Sequence, residues 1–124
     1  MKDKIKFLEL ELSSTTDTEI LAISRTGIIA HDWPLMLPLF EWKINKILDS
    51  YYLKHGFIGP ITQTFDSRKE LIFKLLESYE SDAPFTIQRI AEILIDTSRQ
   101  YKVTHALMNA LEKLLSVGSL LSRN

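Results

Sequence analysis

The chain has 124 residues, of which 45% are hydrophobic and 25% are charged, so its size and composition fit one globular domain. It contains no cysteine, which excludes disulfides, thiolate metal ligands and cysteine nucleophiles and favours a reducing, intracellular setting. The net charge of −1 disfavours nucleic-acid binding, and no apolar run reaches the roughly 20 residues of a membrane span, so we expect neither kind of partner.

The N-terminal part of the chain predicts two helices separated by a polar break. Residues 3–12 carry apolar side chains at both helical and strand spacing, and the helical pattern is favoured. The run Ser13-Ser14-Thr15-Thr16 predicts the break, and Thr16 followed by Glu19 is typical of a capping box that starts the next helix. That helix is predicted to continue to about Arg25 and to end at Gly27.

Trp33 and Pro34 predict the start of the longest helix, over about residues 34–54, because a proline at the first helical position loses no hydrogen bond that the helix needs. One broad apolar face is predicted to pack in the core, and it consists of Met36, Leu37, Phe40, Ile44, Ile47, Leu48 and Tyr51. A second stripe on the far side consists of Leu35, Leu39, Trp42 and Leu53. Such a helix either lies centrally in a bundle or offers one side to a partner.

Residues 55–64 carry two glycines and a proline and are predicted to form a loop. A second capping box, Ser67 with Glu70, predicts the start of the next helix, which extends to about Tyr79. Its apolar face leaves Phe73 outside and consists of Leu71, Ile72, Leu75, Leu76 and Tyr79.

The last two helices are predicted over about residues 86–95 and 104–116, the first of them capped by Thr86 and largely buried. Residues 117–121 form a short apolar tail that favours a terminal strand. We therefore predict an all-α fold, a single helical domain over residues 1–124 with five or six helices. Its C-terminal half can take a winged-helix-like shape.

His31 and Asp32 form the pair that comes nearest to a catalytic motif, because metal-dependent phosphohydrolases use such a dyad. A metal site needs more ligands, and the other two histidines, His55 and His105, lack partners at helical spacing. The sequence also has no nucleophile-elbow, phosphate-loop or metalloprotease motif. We therefore predict that the chain is not an enzyme and has no catalytic residues, metal, cofactor or small-molecule substrate.

The most specific motif in the chain is the stretch Pro84-Phe85-Thr86-Ile87-Gln88-Arg89-Ile90-Ala91-Glu92-Ile93-Leu94. It resembles the P-F-T-I-Q-R-[hydrophobic]-x-E-L-L signature of the protein phosphatase 4 regulatory subunit 2 family. Upstream, the positions that fit the same family are Thr26, Gly27, Trp33, Phe40 and Lys43, followed by Phe65-Asp66. Downstream they are Tyr101, Leu111-Glu112-Lys113, Val117 and Ser119. The resemblance covers most of residues 20–119.

The resemblance implies a non-catalytic subunit that binds the protein phosphatase 4 catalytic subunit, together with a large third subunit. Such a complex acts on phosphoserine and phosphothreonine in the nucleus and the cytoplasm and is linked to DNA-damage recovery. Any catalytic metals would then belong to the partner. The family also has a long acidic C-terminal region that these 124 residues do not include, so the chain is expected to be the N-terminal part of a longer regulatory subunit.

Three residues are candidates for partner binding: Trp42, Gln88 and Arg89. Folding alone does not require Gln88 or Arg89, and a cation near a helix N-terminus is slightly disfavoured by the helix dipole. Either a partner carboxylate or a buried internal salt bridge accounts for Arg89. Trp33 is expected to pack in the core and Phe85 against the helix that follows it. Trp42 falls opposite the main apolar face of its helix and is the better interface candidate.

A second hypothesis places the chain in a different class. The helices over residues 86–95 and 104–116, with the apolar tail, could form a winged helix that reads DNA with its second helix. The predicted solvent side of that helix carries His105, Asn109, Glu112, Lys113 and Ser116. One lysine against one glutamate is a poor phosphate-binding face, so nucleic-acid binding is not expected. A helical scaffold for an unrelated partner is the third alternative.

Overall fold

The computed structural model describes the backbone of residues 2–58 and 63–121, and the side chains of residues 14–58 and 63–117. This part of the chain contains six α-helices and no strand. The helices are α1 (Lys2–Thr26), α2 (Trp33–His55), α3 (Phe65–Glu77), α4 (Ile87–Ile95), α5 (Thr97–Gln100) and α6 (Thr104–Leu121). The prediction of an all-α fold with five or six helices is therefore confirmed for the described residues.

Helix α1 is continuous, so the predicted break at residues 13–16 is wrong. Thr16 is buried within the helix and does not form a capping box with Glu19. The polar run is compatible with a helix because hydroxyls can bond to the preceding turn, as Thr18 does to the Ser14 carbonyl at 3.0 Å. With 25 residues, α1 is also longer than the 23-residue α2, which the sequence predicts to be the longest helix.

Helix α2 lies at the centre of the fold, where it contacts α1, α3, α4 and α6. The side chains that it buries are Trp33, Met36, Phe40, Ile44 and Leu48. Because burying one large apolar side chain stabilises a fold by roughly 1.5–3 kcal/mol, this face supplies a large share of the core. The second predicted stripe is divided, since Leu39 packs against the core while Leu35 and Leu53 are exposed.

Helix α3 begins earlier than its sequence predicts. The capping box is formed by Thr64 and Ser67, whose hydroxyls each accept the backbone N–H of the other residue at 3.1 Å. The predicted box of Ser67 with Glu70 is therefore wrong. The earlier start places Phe65 inside the first turn, where its ring is buried. A capping pattern cannot reveal which of two overlapping candidates also buries an aromatic ring.

The inward face of α3 also differs from the predicted one. Ile72 and Leu76 are fully buried as expected, but Leu71 is exposed and Phe73 packs against the core. The helix ends at Glu77 rather than at Tyr79. The side of α3 that carries Phe73 is therefore covered by the rest of the fold.

Helix α4 packs along α1 and helix α6 packs along α3, on either side of α2. The buried residues of α4 are those predicted: Ile87, Ile90, Ala91, Ile93 and Leu94. Helix α6 continues through residues 117–121, so the predicted terminal strand is wrong, and no neighbouring strand in the described residues could pair with one. A winged-helix shape is not formed by the described part of the chain, which has no wing.

The predicted DNA-reading face of α6 is used within the fold. Arg68 of α3 is buried, and its guanidinium donates to Asn109 Oδ1 and to Glu112 Oε2, both at 2.8 Å. It also donates to Gln63 Oε1 at 3.2 Å. Two of the polar side chains proposed to reach bases are therefore bound to α3.

Candidate partner-binding surface

The two separate parts of the sequence motif meet in space where the end of α1 packs on the start of α4. Gln88 Nε2 donates to the Ser24 carbonyl at 3.3 Å. The Oε1 atom of the same side chain would lie 2.9 Å from a Cβ added to Gly27. Thr26 and Gly27 are thus neighbours of the signature that follows Pro84, a proximity that spacing along the chain does not reveal.

Gly27 ends α1, as predicted, because its backbone takes a conformation that few other residues adopt. Its φ is +72°, and its N–H donates to the Ile23 carbonyl at 2.8 Å. The Thr26 hydroxyl donates to the Ala22 carbonyl at 2.9 Å and accepts the N–H of Ile28 at 3.1 Å. These bonds fix the direction in which the chain leaves the helix.

We expect Gly27→Ala to lower the free energy of unfolding by about 1–2 kcal/mol from the positive φ alone. Displacing Gln88 from its bond to Ser24 should add about 0.5–1.5 kcal/mol. Gly56→Ala is the matched control, because Gly56 has a φ of +69° but no atom within 4 Å of an added Cβ. Urea denaturation measures both variants, and equal losses would contradict a contribution from the contact with Gln88.

Phe85 is exposed, which contradicts the prediction that it packs against the new helix. Its neighbours hold the backbone in place: Pro84 is buried, and the Thr86 hydroxyl donates to the Leu114 carbonyl at 2.7 Å. Thr86 lies at the N-cap position of α4, as predicted, but its side chain links α4 to α6 and makes no capping bond. Between these two anchors the ring of Phe85 is left 70% exposed.

Ile28, immediately after Gly27, is also 70% exposed. We define the motif surface as Thr26, Gly27, Ile28, Phe85, Gln88 and Arg89. It combines two large apolar side chains with an amide and a cation, a mixture typical of protein-binding surfaces. Ile28 and Phe85 are the members that sequence analysis missed, because hydrophobic side chains next to helix ends are usually buried. The one available hint is the position of Ile28 directly after Gly27, the residue at which α1 ends.

Arg89 lies on the outside of α4, so the alternative of a buried internal salt bridge is wrong. Its Nη1 atom is 3.4 Å from Glu92 Oε2, and about half of the side chain is exposed. An exposed pair of this kind contributes little to stability. The other alternative for Arg89, a carboxylate on a partner, stays a prediction.

Trp42 is half-buried and does not belong to the hydrophobic core, and the Lys46 ammonium lies 5.5 Å from the centroid of its ring. Among the described residues, no hydrogen bond, ion pair or ring contact joins Trp42 to Gln88 or Arg89. Trp42 therefore stays a separate candidate for partner binding.

The other motif residues hold the fold. Trp33 is buried as predicted, and its indole N–H donates to the Tyr79 carbonyl at 2.8 Å. Phe40 is fully buried in α2, and Lys43 forms an ion pair with Asp17 at 2.7 Å that joins α2 to α1. Ile87 belongs to the core as well.

His31 and Asp32 line a shallow depression of about 470 Å³ between the α1–α2 and α3–α4 loops. His31 Nε2 is 3.4 Å from Glu19 Oε1. Among the residues that the structure describes, no group of three or more His, Asp or Glu side chains could hold a metal ion.

Elsewhere, burial and the nearby Glu77 carboxylate raise the pKa of Glu41.

The buried helical core and the exposed motif surface are the features of a helical interaction module. The chain belongs to the PPP4R2 family, which matches residues 23–124. The family predicted from the signature is thereby confirmed.

Curated relatives carry the name serine/threonine-protein phosphatase 4 regulatory subunit 2. The chain is 30% identical to the Xenopus tropicalis protein over 125 residues, which cover 96% of this chain and 31% of that protein. It is 29% identical to the Homo sapiens protein, covering 96% of this chain and 30% of that protein. The Drosophila melanogaster protein is 28% identical over 88% of this chain and 19% of its own length.

The chain thus spans less than a third of the length of these relatives. Their names are those of regulatory subunits, so the prediction of a regulatory rather than a catalytic protein is confirmed at the level of the family. No solved structure matches the chain significantly. Within the described residues, no helix has both the length and the apolar character that crossing a membrane requires.

Proposed function

We propose that the chain is the part of a non-catalytic regulatory subunit that binds the protein phosphatase 4 catalytic subunit, and that it does so through the motif surface. The observation that carries the proposal is the exposure of Phe85, an aromatic motif residue that the fold leaves 70% accessible. Aromatic side chains of this kind anchor the centres of protein interfaces. The names of the relatives supply the identity of the partner.

The chemistry of the surface indicates what the partner must offer. The ring of Phe85 and the side chain of Ile28 require an apolar depression. Arg89 requires a carboxylate, since its guanidinium has only the weak surface contact with Glu92 to replace. The proposed partner site is therefore an apolar pocket with an acidic rim.

The proposal extends to the complex as a whole. It includes a large third subunit, a nuclear and cytoplasmic location, and a role in DNA-damage recovery. The support for these is the membership of the family alone. The composition of the complex is tested by recovering it from cell extract with this chain as bait. Mass spectrometry should detect the catalytic subunit and a large third subunit.

We expect Arg89→Ala to weaken the affinity for the purified catalytic subunit by about 1–3 kcal/mol, as lost charged contacts at interfaces do. The free energy of unfolding should change by less than about 1 kcal/mol, because the side chain is on the surface. Arg99→Ala is the matched control: Arg99 is also exposed and also paired with a carboxylate three residues away, Asp96 at 3.5 Å. Calorimetric titration and thermal unfolding of the same samples measure both quantities.

Trp42→Ala belongs in the same series. If Trp42 is a second anchor, binding should fall by about 2 kcal/mol or more with the fold intact. A variant that stays folded and binds normally removes Trp42 from the interface.

Equal losses of affinity from Arg89→Ala and Arg99→Ala would contradict a role of the motif surface.

A further inference from the structure

A second surface feature lies away from the motif surface, in a cleft of about 310 Å³ between the end of α2 and the short segment around α5. Its lining contains two lysines, one histidine, two serines and two tyrosines, and no carboxylate. The two tyrosines, Tyr51 and Tyr101, are half-buried and form its floor, while the other side chains are exposed. The cleft therefore has an aromatic base and cationic, hydroxyl-bearing walls.

The floor of the cleft is fixed by a hydrogen bond between its two sides. The Tyr51 hydroxyl donates to the Tyr101 carbonyl at 2.8 Å, which ties α2 to the segment that follows α5. Burial raises the pKa of Tyr51, so the phenol remains a donor at neutral pH. The floor of the cleft is thus held in place by a hydrogen bond within the fold.

The cations of the cleft lack the partners that most other cations of the domain have. Lys43, Lys69 and Arg68 each lie within 2.8 Å of a carboxylate oxygen. Among the described side chains, no carboxylate lies within 4 Å of the Lys54 or Lys102 ammonium. The Lys102 ammonium has a long contact of 3.4 Å with the Ser98 carbonyl.

The stability of α2 does not explain why Lys54, His55 and Lys102 line the same cleft. Lys54 and His55 occupy the last turn of α2, where positive charge favours the helix dipole. Lys102 comes from a different segment and gains nothing from that dipole, yet it lines the same cleft. A cleft lined by charges of one sign concentrates its field and attracts ions of the opposite sign.

We propose that this cleft binds a phosphorylated serine or threonine side chain of a partner protein. Lys54 and Lys102 supply the charge, and the two serine hydroxyls can donate to the same oxygens. The proposal does not rest on the binding of the catalytic subunit, because the cleft and the motif surface share no residue.

The test uses the whole chain and three short glycine- and alanine-based peptides that differ only in their central residue: phosphoserine, glutamate or serine. Amide chemical shifts in NMR titrations report both the affinity and the location of binding. The phosphoserine peptide should shift residues 50–55 and 98–102 at lower concentrations than the glutamate peptide, and the serine peptide should not shift them. Tighter binding of the glutamate peptide, or no shift of these residues with the phosphoserine peptide, would overturn the proposal.

Lys54→Ala and Lys102→Ala should each weaken binding of the anionic peptides by roughly fivefold, the effect of losing one exposed charged contact. Lys113→Ala is the matched control, because it lowers the net charge by the same amount. Lys113 is exposed and has no carboxylate partner among the described residues. Equal weakening by Lys113→Ala, or shifts spread over the surface, would overturn the proposal. So would tighter binding of an oligothymidine at the cleft, which would make nucleic acid its ligand.

Discussion

Phe85→Ala should weaken the affinity of the chain for the protein phosphatase 4 catalytic subunit by about 2 kcal/mol or more, which is roughly 30-fold. The ring is 70% exposed in the free chain, so a partner that covers it removes a large apolar surface from water. For the same reason the free energy of unfolding should change by less than about 1 kcal/mol. Calorimetric titration gives the affinity, and urea denaturation gives the stability.

Leu53→Ala is the matched control for Phe85→Ala. Leu53 is also a large apolar residue, 86% exposed, but it belongs to the C-terminal end of α2 and not to the motif surface. Its replacement should leave the affinity unchanged. If Phe85→Ala instead unfolds the chain, the exposure of the ring is wrong, and if both variants bind normally, the motif surface is not the interface.

Arg68→Met should lower the free energy of unfolding by about 3 kcal/mol, the typical cost of removing one partner from a buried ion pair. The Arg68 side chain is only 7% exposed, and it joins α3 to α6 through Asn109 and Glu112. Because 33% of the Glu112 side chain is exposed, water can partly replace the lost partner, which places the expected loss at the lower end of the range.

Lys69→Met provides the comparison for Arg68→Met. Lys69 is the next residue in α3 and has an ion pair of nearly the same length, 2.7 Å to Asp49, but half of the Asp49 side chain is exposed. Its loss should cost less than about 1 kcal/mol. Arg68→Lys should not restore stability, because the compact ammonium group of a lysine cannot donate to several acceptors as the planar guanidinium group does. Equal losses at the two positions would show that burial of Arg68 adds nothing.

The features predicted correctly from the sequence are those set by local chemistry. A proline after Trp33 marks the start of α2, because a proline at the first helical position loses no hydrogen bond that the helix needs. Gly27 ends α1 because its φ is open to few other residues. The buried positions of α4 were predictable because, at helical spacing, its apolar residues cover most of the helix surface and its polar residues share one side.

The features predicted wrongly depend on packing between distant parts of the chain. Phe85 follows a buried proline and precedes a threonine bound to α6, and these tertiary anchors, not its own hydrophobicity, turn it outward. Thr86 has the chemistry of a cap, but the Leu114 carbonyl takes its hydroxyl. The burial of Arg68, which the sequence analysis does not predict, likewise depends on the two acceptors that α6 offers.

The meeting of Gly27 with Gln88 also sets an order of events during synthesis of the chain. One part of the motif surface leaves the ribosome with the end of α1, and the other part follows only when α4 has been made. Until then Gly27 has no Gln88 beside it, and Ile28 and Phe85 belong to segments that do not yet pack together. A partner that contacts both segments of the motif surface can therefore recognise that surface only in chains that have been made past the start of α4.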